Sequence, residues 1–351
     1  VVPRRIDADG VHYLIDSKLA PLGITAGTTA APPRPPALSL AGRTVLFSAR
    51  AVRPAATRLR HLFRPPVVAL VLAAVLAANL SLLATADFRS PVSDLVQQPV
   101  GVLALGAIVL LSAVFHEFGH AAGGAYGGAR PGAIGAGIFV VWPAFFSDIT
   151  DSYRLSRAAR IRTDLGGIYF NLLLTLPLAG LHALTGNPLW KWGVVAQFLI
   201  IVQQLLPFLR LDGYYLVSDL TGVPDLFGHL QPALRNLLPG RAVDPSFAGL
   251  RSGVRRAVTV WAVGTSLFVG WFGCVMALEL PQFAAGAGSL LVSLGSSTIS
   301  DFAGRRYLFA GAGLVQLLLV AIQVAGIAVV LRRLVRRGIR SPIRRGARRP
   351  I

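Results

Sequence analysis

Two histidines and a glutamate stand within five residues of one another in the run HEFGH, residues 116–120. In a helix the four-residue spacing stacks His116 and His120 on one face, where two imidazoles can ligate a single Zn²⁺. Glu117 then lies beside the metal. A carboxylate there can take a proton from water, whose pKa the metal lowers to about 7, and return it to a leaving amine, which is the chemistry of peptide-bond hydrolysis. The chain holds six His and only two Glu, Glu117 and Glu279. A chance match to the pattern is therefore on the order of one in a thousand. The run also lies inside an apolar stretch, where one Glu and two His are costly unless they face a polar interior.

A catalytic zinc keeps three protein ligands and one open position. Asp212, Asp148, Asp151, Asp164 and His182 are the candidates for the third. Helix rise favours Asp212. At about 1.5 Å per residue, His116 lies roughly 22 Å below the outer end of its span, and Asp212 follows the cytoplasmic end of a later span of the same direction. Pro207 can turn that later span back towards the metal. His182 falls near the opposite face. Asp148, Asp151 and Asp164 flank a basic loop, where Arg154 or Arg157 can pair with them or where they can orient a ligand.

The elements that hold these groups must be membrane-spanning. Hydrophobic residues make up 54% of the 351 and charged residues only 14%, far more apolar surface than one soluble core buries. Stretches of about 20 apolar residues, enough for about 30 Å of hydrocarbon, fall at 65–86, 100–126, 165–185, 189–211, 257–280 and 307–331, which makes six spans. Arg clusters alternate with them: Arg58, Arg60 and Arg64 before the first, Arg154 to Arg162 between the second and third, and Arg235 to Arg256 between the fourth and fifth. The loops 90–96 and 186–188 carry almost none, so the positive-inside rule puts both termini in the cytoplasm. Arg305 and Arg306, at the end of 282–306 and before the last span, break the pattern. The net charge of +19 is explained by these loops and by anionic lipid, which argues against nucleic acid as a partner. The lone Cys274 excludes an intramolecular disulfide framework.

Residues 1–64, with the stretch APPRPP, read as a cytoplasmic linker, the remnant of a truncated N-terminal domain; Met276 is the only methionine. Residues 65–331 form the membrane domain and 332–351 an Arg-rich cytoplasmic tail. Between the second and third spans, 131–148 is apolar but short and rich in Gly and Pro, which fits a re-entrant or β-hairpin segment beside a cavity.

Three stretches resemble one known family, the site-2 protease family of intramembrane zinc metalloproteases. HEFGH fits its HExxH helix. PFLRLDG, residues 207–213, fits the later P-x-x-x-L-D-G element whose Asp is the third zinc ligand, and GGIYFN, residues 166–171, resembles its A-G-P-x-x-N element. Together they cover about a third of the chain. The resemblance implies zinc on His116, His120 and Asp212, Glu117 as general base and then acid, and Gln204 and Asn171 as oxyanion or substrate contacts. Two positions depart from the family pattern: Gln204 stands for its Asn, and Ile168 for the proline of the middle element. The run LRLDGYYLVSDLTGVPDL resembles a branch described as peptide zinc metalloproteases, associated with the maturation or export of ribosomally made peptides.

The expected fold class is thus all-α integral membrane, with six transmembrane helices and a re-entrant or β-hairpin segment beside the zinc site. The expected activity is that of a zinc endopeptidase cutting a membrane-bound or exported peptide, in a bacterial plasma membrane. Anionic lipids and export or peptide-maturation proteins are its expected partners. The alternative is a non-proteolytic membrane transport or immunity component that retains the fold. A zinc transporter would spread metal-binding residues over several spans, whereas here they concentrate at one depth.

Overall fold

The computed structural model describes residues 11–12, 15, 41–85, 99–139, 142–238 and 244–340. The APPRPP stretch, the loop 90–96, Arg241 and the residues after 340 lie outside these. The chain divides into two units, Val1–Ala41 and Gly42–Ile351, and the second carries every candidate site residue.

In chain order the elements are β1 (Ala41–Phe47), α1 (Ala49–Leu59), a 3-10 turn (Arg60–Phe63), α2 (Pro65–Thr85) and α3 (Pro99–Tyr126). Strands β2 (Ile134–Phe139) and β3 (Trp142–Ser147) follow, then α4 (Arg157–Asp164), α5 (Gly166–Thr185), α6 (Pro188–Leu205), α7 (Asp212–Thr221) and α8 (Leu230–Arg235). Two long helices end the described chain, α9 (Ser252–Ala303) and α10 (Tyr307–Arg340). Proline opens α2, α3 and α6, where its fixed φ suits the first helical position and its missing N–H is no loss. At α6 the Asn187 side chain completes the start by accepting from the Leu189 N–H at 2.9 Å.

Among the described residues, five helices are long and apolar enough to cross a membrane: Pro65–Thr85, Val100–Tyr126, Gly166–Thr185, Ser252–Ala303 and Tyr307–Val329. The expected fourth span, 189–211, is the one missing from this set. α6 is 18 residues long, but Lys191, Gln197, Gln203 and Gln204 lower its hydropathy; it ends at Leu205 because Pro207 holds the preceding Leu206 in extended backbone, at φ −64° and ψ 114°. The expected fifth span also differs. Pro281 sits inside α9 without ending it, and the Ala-, Leu- and Ser-bearing sequence of 282–303 continues the helix. At about 1.5 Å per residue α9 is roughly 78 Å long, more than twice the hydrocarbon thickness.

The chain is not purely α-helical. β1, β2 and β3 form one sheet in that order, and β2 pairs antiparallel with β3 from Ile134 opposite Ser147 to Phe139 opposite Trp142. Residues 41–63, read from sequence as the end of a linker, are ordered elements. Val52 and Ala56 of α1 are fully buried against Ala121 and Ala125 of α3 and Ile134 of β2. The expected tail also begins as helix, since α10 runs on through Arg340.

Helix α3 is the centre of the packing. Its first half is mostly half-buried or exposed, but Gly119 to Ala125 is buried. Gly119 and Gly123 make this possible. A Cβ on Gly119 would fall on the Gly166 carbonyl, and one on Gly123 would meet the Arg162 carbonyl oxygen at 3.0 Å, so these glycines let α5 and α4 approach the α3 backbone. One turn before His116, Ser112 donates to Gln197 Oε1 at 2.5 Å and ties α3 to α6.

Candidate metal centre

Asp212 reaches α3 because α6 ends early. The chain turns through 206–211 and α7 begins at Asp212, an acidic residue in a first turn, where the helix dipole favours it. Gly213 is required next to it, since a Cβ there would fall on the Leu205 carbonyl. The far side of α7 is clamped by the cluster of Tyr214, Val223, Leu226, Phe247 and Trp261. Trp261 of α9 also donates to the Pro207 carbonyl at 2.8 Å, which fixes the turn.

The result is a convergence of three side chains. His116 Nε2 lies 3.1 Å from Asp212 Oδ2, His120 Nε2 lies 3.4 Å from Asp212 Oδ1, and the two Nε2 atoms are 3.0 Å apart. All three residues are buried or nearly so. The other ring nitrogens have their own partners. His120 Nδ1 is 2.8 Å from the Thr163 carbonyl and His116 Nδ1 is 3.2 Å from Asn171 Oδ1. A carbonyl can only accept, so each Nδ1 carries the hydrogen and each Nε2 presents a lone pair. Gly167 makes room for this, because a Cβ there would land on the His116 ring.

Two imidazole lone pairs and a carboxylate facing one another repel unless a cation lies among them. Asp212 Oδ2 is buried with no hydrogen-bond partner among the described residues, as a ligand atom awaiting a cation would be. The donor set, two neutral Nε2 atoms and an ionised carboxylate within 4.8 Å of one another, can hold a divalent metal ion.

The centre opens on a cavity of about 620 Å³. Glu117 borders it, as does Gln204 from the last turn of α6. One wall is β3, through Phe145, Phe146 and Ser147; another is α4 and α7, through Arg160, Asp164, Tyr215 and Asp219. Asn171 does not border the cavity. It is buried behind His116, where its Oδ1 can accept from the imidazole Nδ1 and orient the ring.

The other candidate ligands lie elsewhere. Asp148 accepts from the Thr150 hydroxyl at 2.8 Å, Asp151 accepts from Arg154 at 2.9 Å, and His182 is held by the Asn187 carbonyl at the end of α5. Asp164 lines the cavity; burial, and then the like charge of Asp219, push its carboxyl up to about 7. Arg160 sends Nε to both carboxylate oxygens of Asp219, at 2.9 and 3.0 Å. Sequence reasoning assigned Arg160 only to membrane orientation. Its pairing with a residue on α7 depends on packing that no local pattern records.

Comparison with known proteins gives no match: no family model, no curated protein and no solved structure is significantly similar to this chain.

Proposed function

We propose that this chain is a membrane-embedded zinc endopeptidase that hydrolyses a peptide bond in a membrane-bound or exported peptide. The observation that carries this reading is the meeting of His116, His120 and Asp212 beside Glu117 on the wall of one cavity. The residues that would hold the zinc ion are His116 and His120 of α3 and Asp212 of α7. When bound, the ion supplies Lewis acidity, polarising a carbonyl and acidifying water.

Glu117 acts as general base and then general acid. It takes the proton of the water that attacks the scissile carbonyl carbon, and returns it to the amine nitrogen as the C–N bond breaks. Gln204 offers an amide N–H to the oxygen on which negative charge develops. Asn171 and the Thr163 carbonyl hold the two imidazoles in the tautomer that keeps both Nε2 atoms free. The burial of the centre within α3, α4 and α5 limits the water around it, which strengthens each of these interactions.

In this proposal α3 runs from the outer face inward, the centre lies towards the cytoplasmic side of a bacterial plasma membrane, and both termini are cytoplasmic beside anionic lipid. The concentration of the ligands at one place favours hydrolysis over transport, which would need metal sites along a path. The test is Glu117→Gln, which keeps the ligands and removes the base. Peptides and membrane fragments from cells carrying wild type or the variant are compared by mass spectrometry, and the zinc content of both purified proteins is measured. A peptide trimmed only by wild type, with equal zinc in both, is the expected result. Normal zinc with undiminished trimming in Glu117→Gln would refute the assignment.

A further inference from the structure

Burial makes the Asp164 carboxylate costly, and no ion pair among the described residues offsets that cost. It is the last residue of α4, one residue before the cap of α5. It is about nine-tenths buried, and its Oδ2 has no hydrogen-bond partner among the described residues. Arg160 stands four residues earlier on the same helix, the spacing of a helical ion pair. Its guanidinium is nevertheless turned to Asp219 through Nε and to the Leu155 carbonyl through Nη1. The other cation on the cavity wall, Arg210, reaches Asp225 at 3.8 Å and lies over the rings of Tyr214 and Phe227. Both wall arginines are thus committed elsewhere.

An unpaired, buried carboxylate on the wall of a ligand cavity is unfavourable in the free chain and becomes favourable when a bound cation completes it. We infer that Asp164 is a specificity-determining residue that receives a basic side chain, Lys or Arg, of the peptide entering the cavity. The wall around it combines the aromatic surfaces of Phe145, Phe146 and Tyr215 with a carboxylate. That suits a cationic head on an apolar stem. A second metal ion fits less well, because the neighbouring carboxylate, Asp219, is already engaged by Arg160 and a metal would need several donors at once.

The inference takes the ligand to be a peptide and so rests on the endopeptidase reading. It is tested on the full chain, zinc-loaded and in detergent, with Glu117→Gln to keep peptides intact. Fluorescein-labelled decapeptides, identical except for Lys, Arg, Gln or Glu at one position scanned along the peptide, are titrated by anisotropy. At one position the Lys and Arg peptides bind about thirtyfold or more tighter than the Gln peptide, as a desolvated charge pair requires. In the double variant with Asp164→Asn that ratio falls to near one, and with Asp164→Glu it is retained, zinc content being equal in all three. Equal affinities of Lys, Arg and Gln peptides at every position overturn the inference, as does a ratio that survives Asp164→Asn. The two readings separate: charge preference in binding without cleavage by protein retaining Glu117 sinks the endopeptidase reading alone, and cleavage indifferent to charge sinks the Asp164 assignment alone.

Discussion

Replacing Asp164 by Asn keeps the shape of the side chain and removes its charge, and the stability of the metal-free protein should then lose one component of its pH dependence. In the wild type, burial and Asp219 carry the carboxyl from an ordinary 3.8 to about 7. The folded chain therefore holds a proton that the unfolded chain has released between those values, and stability falls as pH rises through them. Below about 4 both states are protonated and no penalty exists. Above about 7 both are ionised and the folded state bears the whole of it, roughly 4 kcal/mol at about 1.4 kcal/mol per tenfold change in proton affinity. Asp164→Asn escapes that penalty, so its melting temperature should exceed that of wild type by several degrees at pH 8 and by much less at pH 5. The assay is thermal unfolding in detergent with chelator present, followed by tryptophan fluorescence. Any intrinsic effect of the amide appears at both pH values, so the difference between the two differences isolates the charge. A gap between variant and wild type that does not widen from pH 5 to pH 8 would refute the reasoning.

Two further perturbations address the packing and the ligand shell. Gly119→Ala puts a methyl group on the Gly166 carbonyl and within 2.9 Å of the Phe170 ring, and should destabilise the fold by about 1–3 kcal/mol and lower zinc content. Gly106→Ala, on the exposed part of α3 with nothing within 4 Å, should change neither melting temperature nor zinc content, and equal behaviour of the two variants would contradict the close α3–α5 approach. Asn171→Ala removes the acceptor behind His116 and should weaken zinc binding about 10- to 100-fold in competition with a chelator. Unchanged affinity would remove Asn171 from the shell around the metal.

The helices α2, α3, α5 and α10 were legible because each lies in an unbroken apolar stretch long enough to cross a bilayer, and composition alone registers that. The ends of α6 and α9 were not, although proline is decisive at one and immaterial at the other. At Pro207 the effect falls on the preceding Leu206, and the apolar residues up to Leu211 disguise the break. At Pro281 one backbone hydrogen bond is lost in a helix whose neighbouring residues still favour helix, so the element continues. Residues 41–63 failed for a different reason. The buried face of α1 is only Val52 and Ala56, too small a signal among its arginines until α3 is there to receive it.

Within the site, legibility followed the distance over which geometry is fixed. His116, Glu117 and His120 share one helix, so 3.6 residues per turn decides their relation before any packing is known. Asp212 needed the depth argument and the resemblance; the physical reasons for its position, the stop at Leu205 and the close contact made by Gly213, emerge only with α6 and α7 together. Asn171 and Asp164 show the limit most clearly. Asp164 was singled out by residue type and Asn171 by the resemblance, yet the role of each depends on its neighbours across helices. His116 turns Asn171 from a possible substrate contact into an orienting group, and Asp219 takes the arginine that helical spacing would have given to Asp164. The same dependence explains why two histidines and a glutamate are tolerated within an apolar helix. Gly119, Gly123, Gly166 and Gly167 draw α4 and α5 onto α3, and this brings the Thr163 carbonyl and Asn171 to the imidazoles and keeps hydrocarbon from them. The spacing of HEFGH defines a pair of candidate ligands, and the glycines of α3 and α5 make it a buried centre.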